Sequence, residues 1–214
     1  MRTPPPRIPS GPMTILTEIL EHNKDFVRRK DYEEFLTDQF PNKKLVILTC
    51  MDTRLIELLP RAMGVRNGDV KMIKNAGAIV SHPFGSVMRS VLVAIYELGA
   101  AEVAVVGHYE CGMTGLSCSR VLEKARNRGV SDQVLETLGH AGIDLQRWLI
   151  GFDRVEDGVR HSVDVIQEGA GLRDVVAGLA LCRGAECRCD VVENRRRGCE
   201  CLCGSFLSGW RCSV

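Results

Sequence analysis

The chain has 214 residues, 45% of them hydrophobic and 26% charged, with a formal net charge of +1. That length suits one large globular domain, able to bury roughly 70% of its unfolded surface without staples. The balanced charge gives no case for nucleic acid or an anionic membrane surface, and no apolar run approaches the ~20 residues of a transmembrane helix.

Residues 1–13 are rich in Pro and Arg and lack the apolar stretch of a secretory signal, so they read as a disordered leader of a cytoplasmic protein. From Thr14, the apolar positions Ile15, Leu16, Ile19, Leu20, Phe26 and Val27 recur at helical spacing, and a second short helix is expected around Tyr32–Leu36. Lys44 to Thr49 is a β-branched apolar run that suits a buried strand ending at Cys50. Asn67-Gly68 marks a turn before a second strand, Val70 to Ile73, which leads into Asn75-Ala76-Gly77. Val87, Val91, Ile95 and Leu98 form a helical stripe, with Gly99 placed as a C-cap. Glu102 to Gly107 is a third buried strand, ending at His108.

Strand, helix and strand alternate here, which predicts right-handed crossovers and a parallel sheet. Residues 113–150 read as mostly helical, with Ser131 an N-cap. Val155, Val159, Val163 and Ile166 repeat the helical spacing, Glu168–Gly171 reads as a loop, and strands are expected at 174–181 and 189–193. The predicted fold is therefore α/β, a mostly parallel central sheet flanked by helices, in one domain over residues 14–194 with an N-terminal helical arm.

Two strand ends hold the chemistry. The first reads Cys50-Met51-Asp52-Thr53-Arg54, and the second His108-Tyr109-Glu110-Cys111-Gly112. In an open parallel sheet, ligands bind outside the carboxyl ends of the strands. Cys50, His108 and Cys111 thus form a candidate Cys2His set for Zn2+, with a fourth tetrahedral position left for water. Zinc lowers the pKa of such a water from about 15.7 towards about 7, which yields hydroxide at neutral pH. Asp52 has two possible partners: it either takes the fourth zinc position or pairs with Arg54, whose guanidinium matches a carboxylate bidentately.

The pattern C-x-D-x-R, followed some fifty residues later by H-x-x-C-G, resembles the β-class carbonic anhydrase family, and the resemblance spans about residues 14–194. It implies a zinc enzyme that interconverts CO2 and bicarbonate through zinc-bound hydroxide. Cys50, His108 and Cys111 would be the zinc ligands and Asp52 and Arg54 the catalytic dyad, with Asp52 a conditional fourth ligand. Asn75, Ala76, Gly77 and Gly112 would lie near the substrate. The resemblance also implies a homodimer or larger homo-oligomer, with the N-terminal helix reaching over the partner. Two departures are visible: Ala177-Gly178-Leu179 stands where the family commonly has His-Gly-Leu, and Glu168–Gly171 where a Pro-containing segment is expected. Some relatives hydrolyse CS2 or COS at the same metal site, and the motif does not separate these substrates. A non-catalytic zinc protein with a closed shell is the other alternative.

The remaining histidines, His22, His82, His140 and His161, read as surface or half-buried residues. His82 is the best placed of them for a proton shuttle, because it follows the Asn75–Gly77 loop. Cys118 reads as a core residue. Seven of the ten cysteines fall from Cys182 to Cys212, and five of them stand in the C-x-C spacings Cys187/Cys189 and Cys199/Cys201/Cys203, too short for a zinc knuckle. Residues 195–214 fit a disordered tail of reduced thiols, a soft-metal binder, or a reading frame shifted near the end.

Overall fold

A computed structural model describes residues 14–170, 176–181 and 191–193, so the 1–13 leader, the 195–214 tail and its cysteines lie outside the described residues. The described residues fall into two units divided between Asp38 and Gln39.

In the first unit, helix α1 spans Ile15–Arg29. The Thr14 hydroxyl caps it by accepting from the Thr17 amide, and Lys30 closes it in the left-handed conformation. A 3-10 turn follows at Asp31–Phe35, with the Phe26 and Phe35 rings 6.3 Å apart. None of α1 is buried, although one face carries Ile15, Leu16, Ile19 and Leu20.

The second unit is built on a five-stranded sheet of order β2-β1-β3-β4-β5. Strands β1 (Leu45–Cys50), β2 (Val70–Asn75), β3 (Glu102–His108) and β4 (Val176–Leu181) run parallel, and β5 (Val191–Glu193) pairs antiparallel to β4. The α/β architecture with a mostly parallel sheet is as the residue pattern predicts. Lys44, placed in the first strand from sequence, instead adopts φ 50° and precedes it, while β1 continues through Cys50.

Successive side chains of a strand point to opposite faces, and β1 and β3 divide their apolar residues accordingly. Val46, Leu48, Val103 and Val105 face one core layer with helices α3 (Ser86–Tyr96) and α7 (Val155–Ala170). Ile47, Ala104 and Val106 face a second, with Leu55 and with Leu59 of the short helix α2 (Leu58–Ala62). Burial on both faces is why these strands read as unbroken apolar runs.

Between β3 and α7 the chain makes helices α4 (Cys118–Asn127), α5 (Asp132–His140) and α6 (Leu145–Leu149), and Ser131 is the N-cap of α5 as expected. Val155, Val159, Val163 and Ile166 of α7 are buried, matching the predicted stripe. Two expectations are corrected. Glu168–Ala170 is the last turn of α7 rather than a loop, because Ile166 and Gln167 remain buried and keep the helix on the sheet. Helix α3 ends at Tyr96, short of Leu98, because Gly99 turns left-handed at φ +71° and the Ala100 amide bonds back to the Ala94 carbonyl.

Candidate metal centre

The sheet register brings the two strand ends together. Thr49 pairs with Val106 and Cys50 with Asn75, so Cys50 and His108 emerge on the same carboxyl edge. Beyond β3 the chain turns sharply at Glu110, which adopts φ 55°, and returns Cys111 towards Cys50. The two sulfurs are 3.7 Å apart. Ligand atoms of Cys50, His108 and Cys111 lie within 4.8 Å of one another, and all three residues are buried.

His108 has a defined role for each nitrogen. Nδ1 is 2.9 Å from the Tyr109 carbonyl oxygen, which can only accept, so Nδ1 is the donor. Nε2 is then the nitrogen with the free lone pair, and it is buried without a hydrogen-bond partner among the described residues. Such an atom is costly to leave unmet. An imidazole and two thiols whose ligand atoms gather within 4.8 Å of one another are the donor set of a borderline-soft divalent ion, so these residues fit zinc. The sulfur contact with Cys111 pulls the Cys50 thiol down to about 5, and the same contact together with burial pushes the Cys111 thiol up.

Asp52 caps the 3-10 turn Thr53–Leu55 by accepting from the Arg54 amide at 2.9 Å. The Asp52 carboxylate is forked by Arg54: Nε donates to Oδ1 at 2.9 Å and Nη2 to Oδ2 at 2.8 Å. This fork holds the Asp52 carboxyl well below the usual carboxylate range. Arg54 also reaches the second strand end, donating from Nη2 to the Glu110 carbonyl at 3.1 Å, with Nη1 3.6 Å from the Glu110 carboxylate. One guanidinium therefore ties both ligand-bearing loops together.

The predicted substrate-side residues are partly assembled. Asn75 stands beside Cys50 in the register; its amide donates to the Ile79 carbonyl at 2.6 Å, and its Oδ1 is buried without a partner among the described residues. Ala76 and Gly77 form a 3-10 turn. Gly77 has φ +74°, and a Cβ there would sit 2.9 Å from Met113 Cγ and 3.1 Å from Phe152. Gly112 is exposed, with nothing within 4 Å of where its Cβ would be. His82 stays outside the cluster; it accepts from the Phe84 amide in its own loop. His22, His140 and His161 are exposed, and Cys118 is buried as expected.

Three features went unread in the sequence: the bridging contact of Arg54 to Glu110, the Tyr109 hydroxyl bond to Glu156 at 2.8 Å, and the loop clamp behind Cys111. In that clamp, Gly115 donates to the Phe152 carbonyl and Gly151 to the Leu116 carbonyl, both at 2.9 Å. Each joins residues distant in the chain, where no local pattern signals a contact.

A profile of the carbonic anhydrase family matches residues 45–172, more than half of the chain. With the parallel sheet and the Cys/His/Cys group, the match places the chain in the β-class carbonic anhydrase family. It is similar to YvdA of Bacillus subtilis (strain 168), provisionally named a carbonic anhydrase, at 65% identity over 155 residues, 72% of this chain and 79% of that protein. The carbon disulfide hydrolase of Saccharolobus solfataricus is 31% identical over 115 residues, 53% of this chain and 54% of its own. The crystal structure of β-carbonic anhydrase isoform I (TvaCA1) of Trichomonas vaginalis superposes with a TM-score of 0.74 at 28% identity, covering 85% of this chain and 99% of that one.

Proposed function

We propose that the protein catalyses the reversible hydration of carbon dioxide to bicarbonate with zinc held by Cys50, His108 and Cys111. The observation that carries this reading is a His108 ring nitrogen within 4.8 Å of two thiols, on a ring whose Nε2 is buried with no hydrogen-bond partner among the described residues, beside a carboxylate kept anionic by Arg54. When bound, zinc supplies the Lewis acidity that makes water a nucleophile at neutral pH.

The chain's own residues supply orientation. Asp52, ionised and able only to accept, would accept a hydrogen bond from the nucleophilic oxygen, which keeps its proton, and so turn that oxygen's lone pair towards the CO2 carbon. Arg54 holds Asp52 from two directions, so the carboxylate is presented at one angle. The apolar layer of Ile47, Val106, Met113 and Phe152 around the two thiols suits an uncharged, apolar gas. Asn75 Oδ1 offers an acceptor that bicarbonate, with its one hydroxyl, could satisfy and CO2 could not.

The reading extends to residues 14–194 as the functional domain, a homodimer or larger homo-oligomer, and a cytoplasmic location. The wholly exposed apolar face of α1 supports a partner copy. The requirement for reduced thiols as ligands supports a reducing compartment. The likeness to a carbon disulfide hydrolase favours one second reading, hydrolysis of CS2 or COS at the same site. Zinc content and stopped-flow CO2 hydration on one purified sample, followed by CS2 and COS assays, test these readings. Stoichiometric zinc with no turnover of any of the three gases would leave a non-catalytic metal protein.

A further inference from the structure

We propose that Glu156, in the first turn of α7, is a positioning residue for His108 that acts through Tyr109; this rests on the zinc reading above and deepens it. The Tyr109 carbonyl, at 2.9 Å, is the acceptor that keeps the proton on His108 Nδ1 and frees Nε2 for the metal. That carbonyl belongs to the peptide leading into Glu110, whose backbone is left-handed at φ 55°. An L residue adopts that conformation at a cost, so the peptide plane needs outside support.

Support comes from both sides of the turn. On one side Arg54 Nη2 holds the Glu110 carbonyl at 3.1 Å. On the other, the partly buried Tyr109 ring packs against the core layer of α3 and α7, and its hydroxyl donates to Glu156 Oε1 at 2.8 Å. Glu156 is itself anchored: its side chain is only 14% exposed, and Oε2 lies 3.6 Å from Arg154 Nε. The sequence of contacts runs from α7 through the phenol to the Tyr109 backbone and so to the imidazole. Partners outside the ligand set that orient a metal-binding histidine commonly change affinity by about 10–100-fold when lost.

The test uses the full-length protein with Zn2+ alone, titrated in competition with a chromophoric chelator, for wild type, Tyr109→Phe, Glu156→Ala, Glu156→Gln and the Tyr109→Phe/Glu156→Ala pair. Expected are zinc affinities about tenfold weaker for Tyr109→Phe and Glu156→Ala, and no further loss in the double variant, since both break one link. Glu156→Gln, whose amide oxygen still accepts from the phenol, should restore most of the affinity. Ring 15N shifts of His108 in the metal-free protein should move towards mixed tautomers in Tyr109→Phe. Wild-type affinity and wild-type ring shifts in Tyr109→Phe would overturn the proposal while leaving the zinc reading intact. So would equal weakening by Glu156→Gln and Glu156→Ala, which would mark Glu156 as a support for α7 alone. A wild-type protein that takes up no zinc would overturn both.

Discussion

Asp52 Oδ2 lies 3.9 Å from His108 Nε2, too far for a hydrogen bond, and the same oxygen is 2.8 Å from Arg54 Nη2. The carboxylate therefore faces the metal-side nitrogen while being held by a different residue. On the proposed reading, that separation of holding from facing would let Asp52 act on a neighbouring oxygen without occupying a ligand position. Replacing Asp52 with Ala should leave zinc content unchanged and lower kcat by about 100-fold, the scale of one positioned proton acceptor. Metal analysis beside stopped-flow hydration checks this; unaltered kinetics would refute the dyad.

Arg54→Lys keeps the positive charge and loses the fork. Lys cannot donate to both Asp52 oxygens and the Glu110 carbonyl from a planar group. Turnover should fall by about tenfold with zinc retained. Equal turnover would mean that charge alone holds Asp52.

Cys50 is buried in the second core layer with its sulfur 3.7 Å from that of Cys111. Cys50→Ser should abolish stoichiometric zinc and CO2 hydration together, because a buried hydroxyl replaces a thiolate ligand. Loss of one without the other, measured on a single preparation, would separate metal binding from activity.

Gly77 holds φ +74° against Met113 and Phe152. Gly77→Ala should lower stability by about 1–2 kcal/mol from the left-handed backbone alone, read as a shifted denaturant midpoint. Because Met113 sits two residues past Cys111, zinc affinity should fall as well.

The Glu156 carboxyl is held below its ordinary value, first by its own backbone N–H and then by the Tyr109 hydroxyl. A carboxyl whose folded pKa is depressed stabilises the fold above its unfolded pKa, and that stabilisation is lost as pH falls through the folded value. Wild type should therefore be more stable than Glu156→Gln at pH 7, and the gap should close as pH drops below about 4.5. Thermal melts of both proteins across pH 3–7 check the sign.

The Cys50, His108 and Cys111 cluster was legible in the chain because strand ends announce themselves. β1 and β3 are apolar runs that stop at Cys50 and His108, and in a parallel sheet such ends share one edge. The α7 stripe was equally readable, since helical spacing is local. The end of α7 was not, because Gln167 stays helical by burial against residues far away in the chain.

What the sequence determined by itself was the order of the strands along the chain and the residues at their carboxyl ends, because those follow from residue type and periodicity. Tertiary structure alone decided that Arg54 spans from Asp52 to Glu110 and that Tyr109 reaches Glu156 across 47 positions. Those choices depend on distances between separate segments, set only when the sheet register and the packing of α7 bring them together.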